Sequence, residues 1–297
     1  MTNRNSPLRI EPFLLRPAGK DYLWGGNRLN DDFAKGIAME PLAETWECST
    51  HPDGPSTVAS GPFAGQSLPE VLRAHPEFLG SHIHSSDGQL PILIKFIDAR
   101  QDLSVQVHPS DAYAREHENG QLGKSEMWYV LDCEPGAYLY YGLKHKISED
   151  EFRIRIKNEP ILEVCRKVPV KRGDVFYIPA GLLHAIGGGI TVAEIQQSSD
   201  VTYRVYDYNR ENAQHEKREL HIDKAALVAG FMPPLAGHHP MGPRIQKNGY
   251  SRTLLVQCPY FVVQLYEIEK NLEGDTLQGF RSLLILEGEG VLTGGGK

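Results

Sequence analysis

Two short segments of this chain carry side chains suited to holding a metal ion. Gln106-Val107-His108-Pro109 leads to Glu126, and Gly173 opens a Gly-x5-Pro-x-Gly-x2-His run that ends at His184. Two imidazoles, one carboxylate and one amide are donors that a catalytic divalent cation such as zinc accepts while keeping a position free for a reactant. An isolated histidine is more often a packed or solvated residue than a ligand, so the spacing carries the weight. Ser104, Lys124 and Arg204 stand close to these segments in sequence and are small or cationic, which suits a phosphorylated ligand.

The elements that must position these groups read as short strands. Glycine (29) and proline (20) punctuate the chain between brief apolar runs, the pattern of many strands joined by turns. Leu103-Ser-Val-Gln-Val-His108 alternates, which places Ser104, Gln106 and His108 on one face. Strands are also expected over 91–97, 127–131, 137–141, 174–178, 190–195, 203–206, 261–266 and 282–286. Lys95 is the lone charge in its apolar strand and needs a partner or a pocket. Helices are few. Capping boxes at Ser67/Glu70 and Ser148/Glu151 open two of them, and 223–229 is a third. The fold class is mainly β, a jelly-roll with a few peripheral helices. The proline-rich stretch 232–243 marks a boundary, giving a catalytic domain over 1–230 and a smaller C-terminal β unit over 231–297. That unit is expected to be incomplete, since a barrel left open exposes unpaired backbone.

Bulk properties narrow the class. A net charge of −7 and a pI near 6.0 argue against a nucleic-acid binder. No apolar stretch approaches the roughly 20 residues a spanning helix needs, and the N-terminus lacks a secretory pattern. The four cysteines are widely spaced with no C-x-x-C pair, so a reducing compartment, the cytoplasm, is expected. Monomer and homodimer both remain open.

The segment ending at His184 matches the second cupin motif at every specified position. The first departs from the commonest cupin form, because Gln106 stands where a histidine usually does. Gln-Val-His-Pro, Gly-Lys-x-Glu-x-Trp and Pro-Ala-Gly-x-x-His-Ala together resemble the type I mannose-6-phosphate isomerases. So do Tyr22-x-Trp-Gly25, Lys95-Phe-Ile-Asp-Ala99 and Ala193-Glu-Ile-Gln-Gln-Ser-Ser-Asp-x-Thr-Tyr-Arg204. The resemblance runs from about residue 10 to 210. With a step of 58 residues from Glu126 to His184 there is no room for the helical insertion of longer members. It implies a cupin barrel, with the C-terminal unit as a second cupin-like piece. It implies one zinc ion per chain on His108, Glu126, His184 and Gln106. A hexose 6-phosphate would be the substrate.

By the same resemblance Arg204 is a catalytic residue, a guanidinium that steadies negative charge without titrating. Glu194 matches a carboxylate proposed to move the proton between C1 and C2, and its alternative is a structural ion pair with Arg204 or Lys124. Lys124 is read as both catalytic and substrate-binding, and Ser104 and Lys95 as substrate-binding. The implied reaction interconverts mannose 6-phosphate and fructose 6-phosphate through an enediol, with zinc as Lewis acid. Two other readings use the same ligands: an iron-dependent cupin oxygenase, and a sugar-phosphate sensor without turnover.

Overall fold

A computed structural model describes residues 11–81, 87–158, 161–211, 215–235, 237–273 and 279–294. Two antiparallel sheets face each other. One has the order β10 (Val175–Ile178), β7 (Glu126–Cys133), β12 (Ile190–Gln197), β5 (Ile92–Ala99), β3 (Glu44–Cys48), β2 (Ala18–Lys20). The other runs β13 (Tyr203–Tyr206), β6 (Val105–Val107), β11 (His184–Ile186), β8 (Tyr138–Leu143), β9 (Cys165–Pro169). The chain passes between the sheets at nearly every connection from β5 to β13, so residues distant in sequence face one another across the interior. The expected mainly β, jelly-roll architecture is present. Two further strands, β1 (Leu15–Arg16) and β4 (Thr57–Val58), form a small ribbon, and β14 (Arg244–Lys247), β15 (Tyr250–Gln257) and β16 (Val262–Ile268) form a third sheet.

Side-chain alternation separates three cores. On β5, Ile94 and Phe96 point outward into a cluster with Leu68, Leu72, Met127 and Ile195, while Ile97 and Ala99 point inward. Leu255, Val256 and Phe261 of the third sheet join that outward cluster. The outer face of the other sheet (Val105, Val107, Ala185, Tyr203) packs on the helices Glu149–Lys157 and Ile222–Val228 through Phe152, Ile156, Ala225 and Ala226. Between the sheets, Ile97, Val130, Leu139, Phe176, Ile186 and Val192 fill one end of the interior. With both faces covered, all eight residues of β12 are buried.

Local signals behave unevenly. The helix Leu68–Ala74 carries its full capping box. At Ser148 only half forms, since the hydroxyl accepts from Glu151 N but the Glu151 carboxylate turns to Arg155 instead. The strand expected over 282–286 is corrected: the segment joins no ladder among the described residues, with Leu284 and Leu286 packed inward and Leu283 and Ile285 exposed. An apolar run alone does not make a strand where no neighbour supplies the hydrogen bonds. Histidines outside the metal-ligand motifs also make ring contacts: His51 meets the Trp46 ring edge-on at 5.5 Å and His238 stacks on Phe176. His82 and His84 lie outside the described residues.

Candidate metal centre and active site

The sequence run ending at His184 is a corner where the chain leaves one sheet for the other. Gly173 and Gly181 adopt φ of 89° and 88°, and a Cβ on Gly181 would meet the Val228 carbonyl at 3.0 Å. Gly181 N–H donates to His108 O at 2.9 Å, so this corner is tied directly to the first segment. His184 then opens β11 opposite Gln106, while Glu126 opens β7 in the facing sheet. One donor atom from each of His108, Glu126 and His184 lies within 4.8 Å of the others, and all three residues are buried.

Hydrogen bonding fixes what these atoms offer. His108 Nδ1 lies 2.9 Å from Val201 O and His184 Nδ1 lies 2.8 Å from Leu182 O. A carbonyl only accepts, so both rings carry the proton on Nδ1 and present a bare Nε2 lone pair to the interior. His184 Nε2 faces Glu126 Oε1 at 3.2 Å, and His108 Nε2 faces Glu126 Oε2 at 3.6 Å. Glu126 Oε1 accepts no hydrogen bond from any described residue. Buried lone pairs aimed at one another repel unless a cation lies between them. The 3.2 Å separation is close to the edge of about 3.3 Å that a tetrahedral zinc site with bonds near 2.0–2.1 Å requires. The residues therefore fit a divalent metal. The Gln106 amide lies 3.4 Å from His184 Nε2, and a half-turn would present its oxygen there.

Burial holds both imidazoles neutral, with His184 lowered to about 4. Burial and then the neighbouring Glu194 push the Glu126 carboxyl up to about 7, against the pull of Lys124. Lys124 Nζ sits 2.8 Å from Glu126 Oε2 and 3.2 Å from His108 Nε2, bringing a positive charge to the converging donors.

Beside the donors lies a second charged group. Glu194 is the cross-strand partner of both Lys95 and Trp128. Its Oε2 accepts from Trp128 Nε1 at 2.7 Å, and its Oε1 lies 3.8 Å from Lys95 Nζ and 3.9 Å from Lys124 Nζ. Burial opposes ionisation of Glu194, but Lys124, Lys95 and Trp128 together hold its carboxyl below the usual range. Lys95 also meets Glu44 at 3.6 Å and lies over the Trp46 ring. Arg204 is opposite Gln106, and its Nε is buried without a hydrogen-bond partner among the described residues. Ser104 is buried two residues before Gln106. Val201, whose carbonyl orients His108, helps line a groove of about 670 Å³ together with Asp200, Tyr203 and His221. That volume suits a small ligand.

Sequence reading missed Glu44, Trp46 and His221. Glu44 and Trp46 share one face of β3, alternating with Thr45 and Glu47, and that shared face was the available signal. Trp24 of the Tyr22-x-Trp-Gly25 motif is buried among Ile97 and Ala99 and stacks on Tyr22.

Comparison with known proteins agrees with this geometry. Residues 13–132 match the model of the type I phosphomannose isomerase catalytic domain. A probable mannose-6-phosphate isomerase of Bacillus subtilis is 42% identical over 287 residues, covering 96% of this chain and 89% of that protein. The crystal structure of the mannose 6-phosphate isomerase from Bacillus subtilis superposes with a TM-score of 0.79 at 38% identity, covering 87% of this chain and 80% of that one. A zinc-bound mannose 6-phosphate isomerase structure shares the fold at 16% identity and a TM-score of 0.58, covering 81% and 82%. With such identity sustained along nearly its whole length, the chain belongs to the type I phosphomannose isomerase family and is an isomerase.

Proposed function

We propose that this isomerase interconverts mannose 6-phosphate and fructose 6-phosphate through an enediol, with one zinc ion held by His108, Glu126 and His184. Gln106 is proposed as the fourth, amide donor. The observation that carries this reading is the convergence of two imidazole Nε2 atoms on the two oxygens of the buried Glu126 carboxylate, whose Oε1 accepts no hydrogen bond among the described residues. Two relatives support the reading: one named a probable mannose-6-phosphate isomerase, and one isomerase with zinc bound.

A bound divalent cation would supply Lewis acidity toward the sugar's carbonyl and hydroxyl oxygens. The chain's own groups do the rest. Glu194, kept ionised and held at one oxygen by Trp128, takes the proton from one carbon and returns it to the next. Lys124 and Lys95 flank the other Glu194 oxygen and offer donors to the sugar oxygens that change charge. Arg204 steadies the enediolate from the Gln106 side. Ser104, on the same run, hydrogen-bonds the phosphate. Free thiols at Cys48, Cys133, Cys165 and Cys258 are consistent with a cytoplasmic location, and no helix of the described residues is long and apolar enough to cross a membrane.

The direct test follows conversion of mannose 6-phosphate before and after dialysis against a chelator, then with zinc restored, alongside elemental analysis. Activity lost on stripping and regained with about one zinc per chain is expected. Full turnover in protein shown to be metal-free would sink the proposal.

A further inference from the structure

Among the described residues β13 is the edge strand of its sheet, so one side of Arg204's backbone has no neighbouring strand there. Its N–H and C=O would be left to solvent at the very residue whose guanidinium must be aimed inward. His221 takes the place of the absent strand. Arg204 N–H donates to His221 Nδ1 at 3.0 Å, and His221 N–H donates to Arg204 O at 2.8 Å. One residue thus closes both outward-facing backbone groups of Arg204, as a paired strand residue would. On the other side, the ladder to β6 shifts register between Arg204 and Tyr206, so strand pairing alone holds this position loosely.

His221 precedes the helix Ile222–Val228 yet makes no side-chain capping bond there. Its ring is committed to Arg204 instead. Accepting the N–H requires the bare Nδ1 lone pair, hence the neutral ring with its proton on Nε2. The arrangement is extended by Arg204 Nη1, which donates to Glu219 O at 3.1 Å, two residues before His221. The segment 219–221 therefore grips Arg204 at its backbone and at its guanidinium. The Nε left without a partner is the donor available to a bound anion.

We propose that His221 is a positioning residue of the isomerase, fixing the edge-strand backbone so that the Arg204 guanidinium is presented to the substrate. This rests on the catalytic reading of Arg204. Misplacing a catalytic group by about 1 Å can cost on the order of a hundredfold in rate.

The test is a double-mutant cycle with an amide pair as control. Asn places an acceptor oxygen where Nδ1 stands, whereas Gln carries it one bond further out. His221→Asn is expected to keep kcat within about threefold, while His221→Gln and His221→Ala lower kcat by about tenfold or more with zinc content and KM held. Arg204→Ala combined with His221→Ala is expected to be no slower than Arg204→Ala alone, since His221 acts through that residue. If Arg204→Ala is fully active, the reading of Arg204 fails. If Arg204→Ala is slow but His221→Ala is not, or if the two losses multiply, the His221 proposal is overturned. Should His221→Ala not fold, the Asn and Gln variants decide: equal kcat in both overturns it.

Discussion

The two ends of the barrel interior are built from the same strands and could hardly differ more. On β5 the inward residues run from Ala99 and Ile97 to Lys95; on β12, from Ile190 and Val192 to Glu194; on β11, from Ile186 to His184. Each change of character takes one step of two residues, about 6.6 Å along a strand. The apolar end removes side-chain surface from water at about 25 cal/mol per Å² and stabilises the sheets. The charged end buries Glu44, Lys95, Lys124, Glu126 and Glu194, groups whose desolvation opposes folding unless each is partnered. All five make ion pairs with one another, while Glu126 Oε1 stays without a hydrogen bond among the described residues. The difference teaches that a rigid apolar plug at one end lets the other end hold mutually repelling groups in fixed positions.

Substitutions that confuse the two ends would break this picture. The largest effect is expected for His108→Ala, which removes a ligand from the charged end. Zinc content is expected to fall together with activity, kcat/KM dropping by about a thousandfold or more, as befits a Lewis acid contribution of several kcal/mol. Retention of both zinc and turnover would mean that the metal centre lies elsewhere. Ile97→Ala, two residues from Lys95 on the same face, probes the apolar end. It is expected to destabilise the fold by about 2–5 kcal/mol in denaturant titration while leaving zinc per chain and kcat unchanged. If zinc were lost from the folded variant, the two ends would not be separable.

A smaller effect sharpens the contrast. In metal-free protein the buried imidazoles are held below their usual value, His184 from 6.5 to about 4. A depressed imidazole contributes stability above pH 6.5, and that stability is lost as pH falls through about 4. Glu126, raised to about 7, acts oppositely over part of this window, but two rings oppose one carboxyl. The thermal midpoint of chelated protein is therefore expected to decline from pH 6.5 toward 4. Zinc-loaded protein is expected to resist over the same range, because the metal competes with protons for both Nε2 atoms. Identical acid profiles with and without chelator would remove the imidazoles from that account.

Much of the site was legible because its signals are local. The Gly173-to-His184 run needs glycine where φ is positive and proline where the chain turns, and those needs are written in residue type. The alternation around Gln106 and His108 likewise announces a shared face, and Lys95 advertises a missing partner. What stayed hidden depends on register between distant strands. Glu44 meets Lys95 only because β3 lies beside β5, with Trp46 opposite Lys95. The segment over 282–286 reads as a strand by its apolar run, yet among the described residues lacks the neighbour that would make it one.

Residue types alone determined that this chain forms a mostly β protein with imidazole, carboxylate and amide donors near its turns, because backbone sterics and side-chain alternation act within a few residues. Tertiary structure decided which end of the interior is apolar and which is charged, that the Glu126 carboxylate meets two imidazoles, and that His221 closes the edge beside Arg204. Those outcomes follow from chain crossings between two sheets, where contacts spanning 17 to 78 residues are set by register and not by neighbours in sequence.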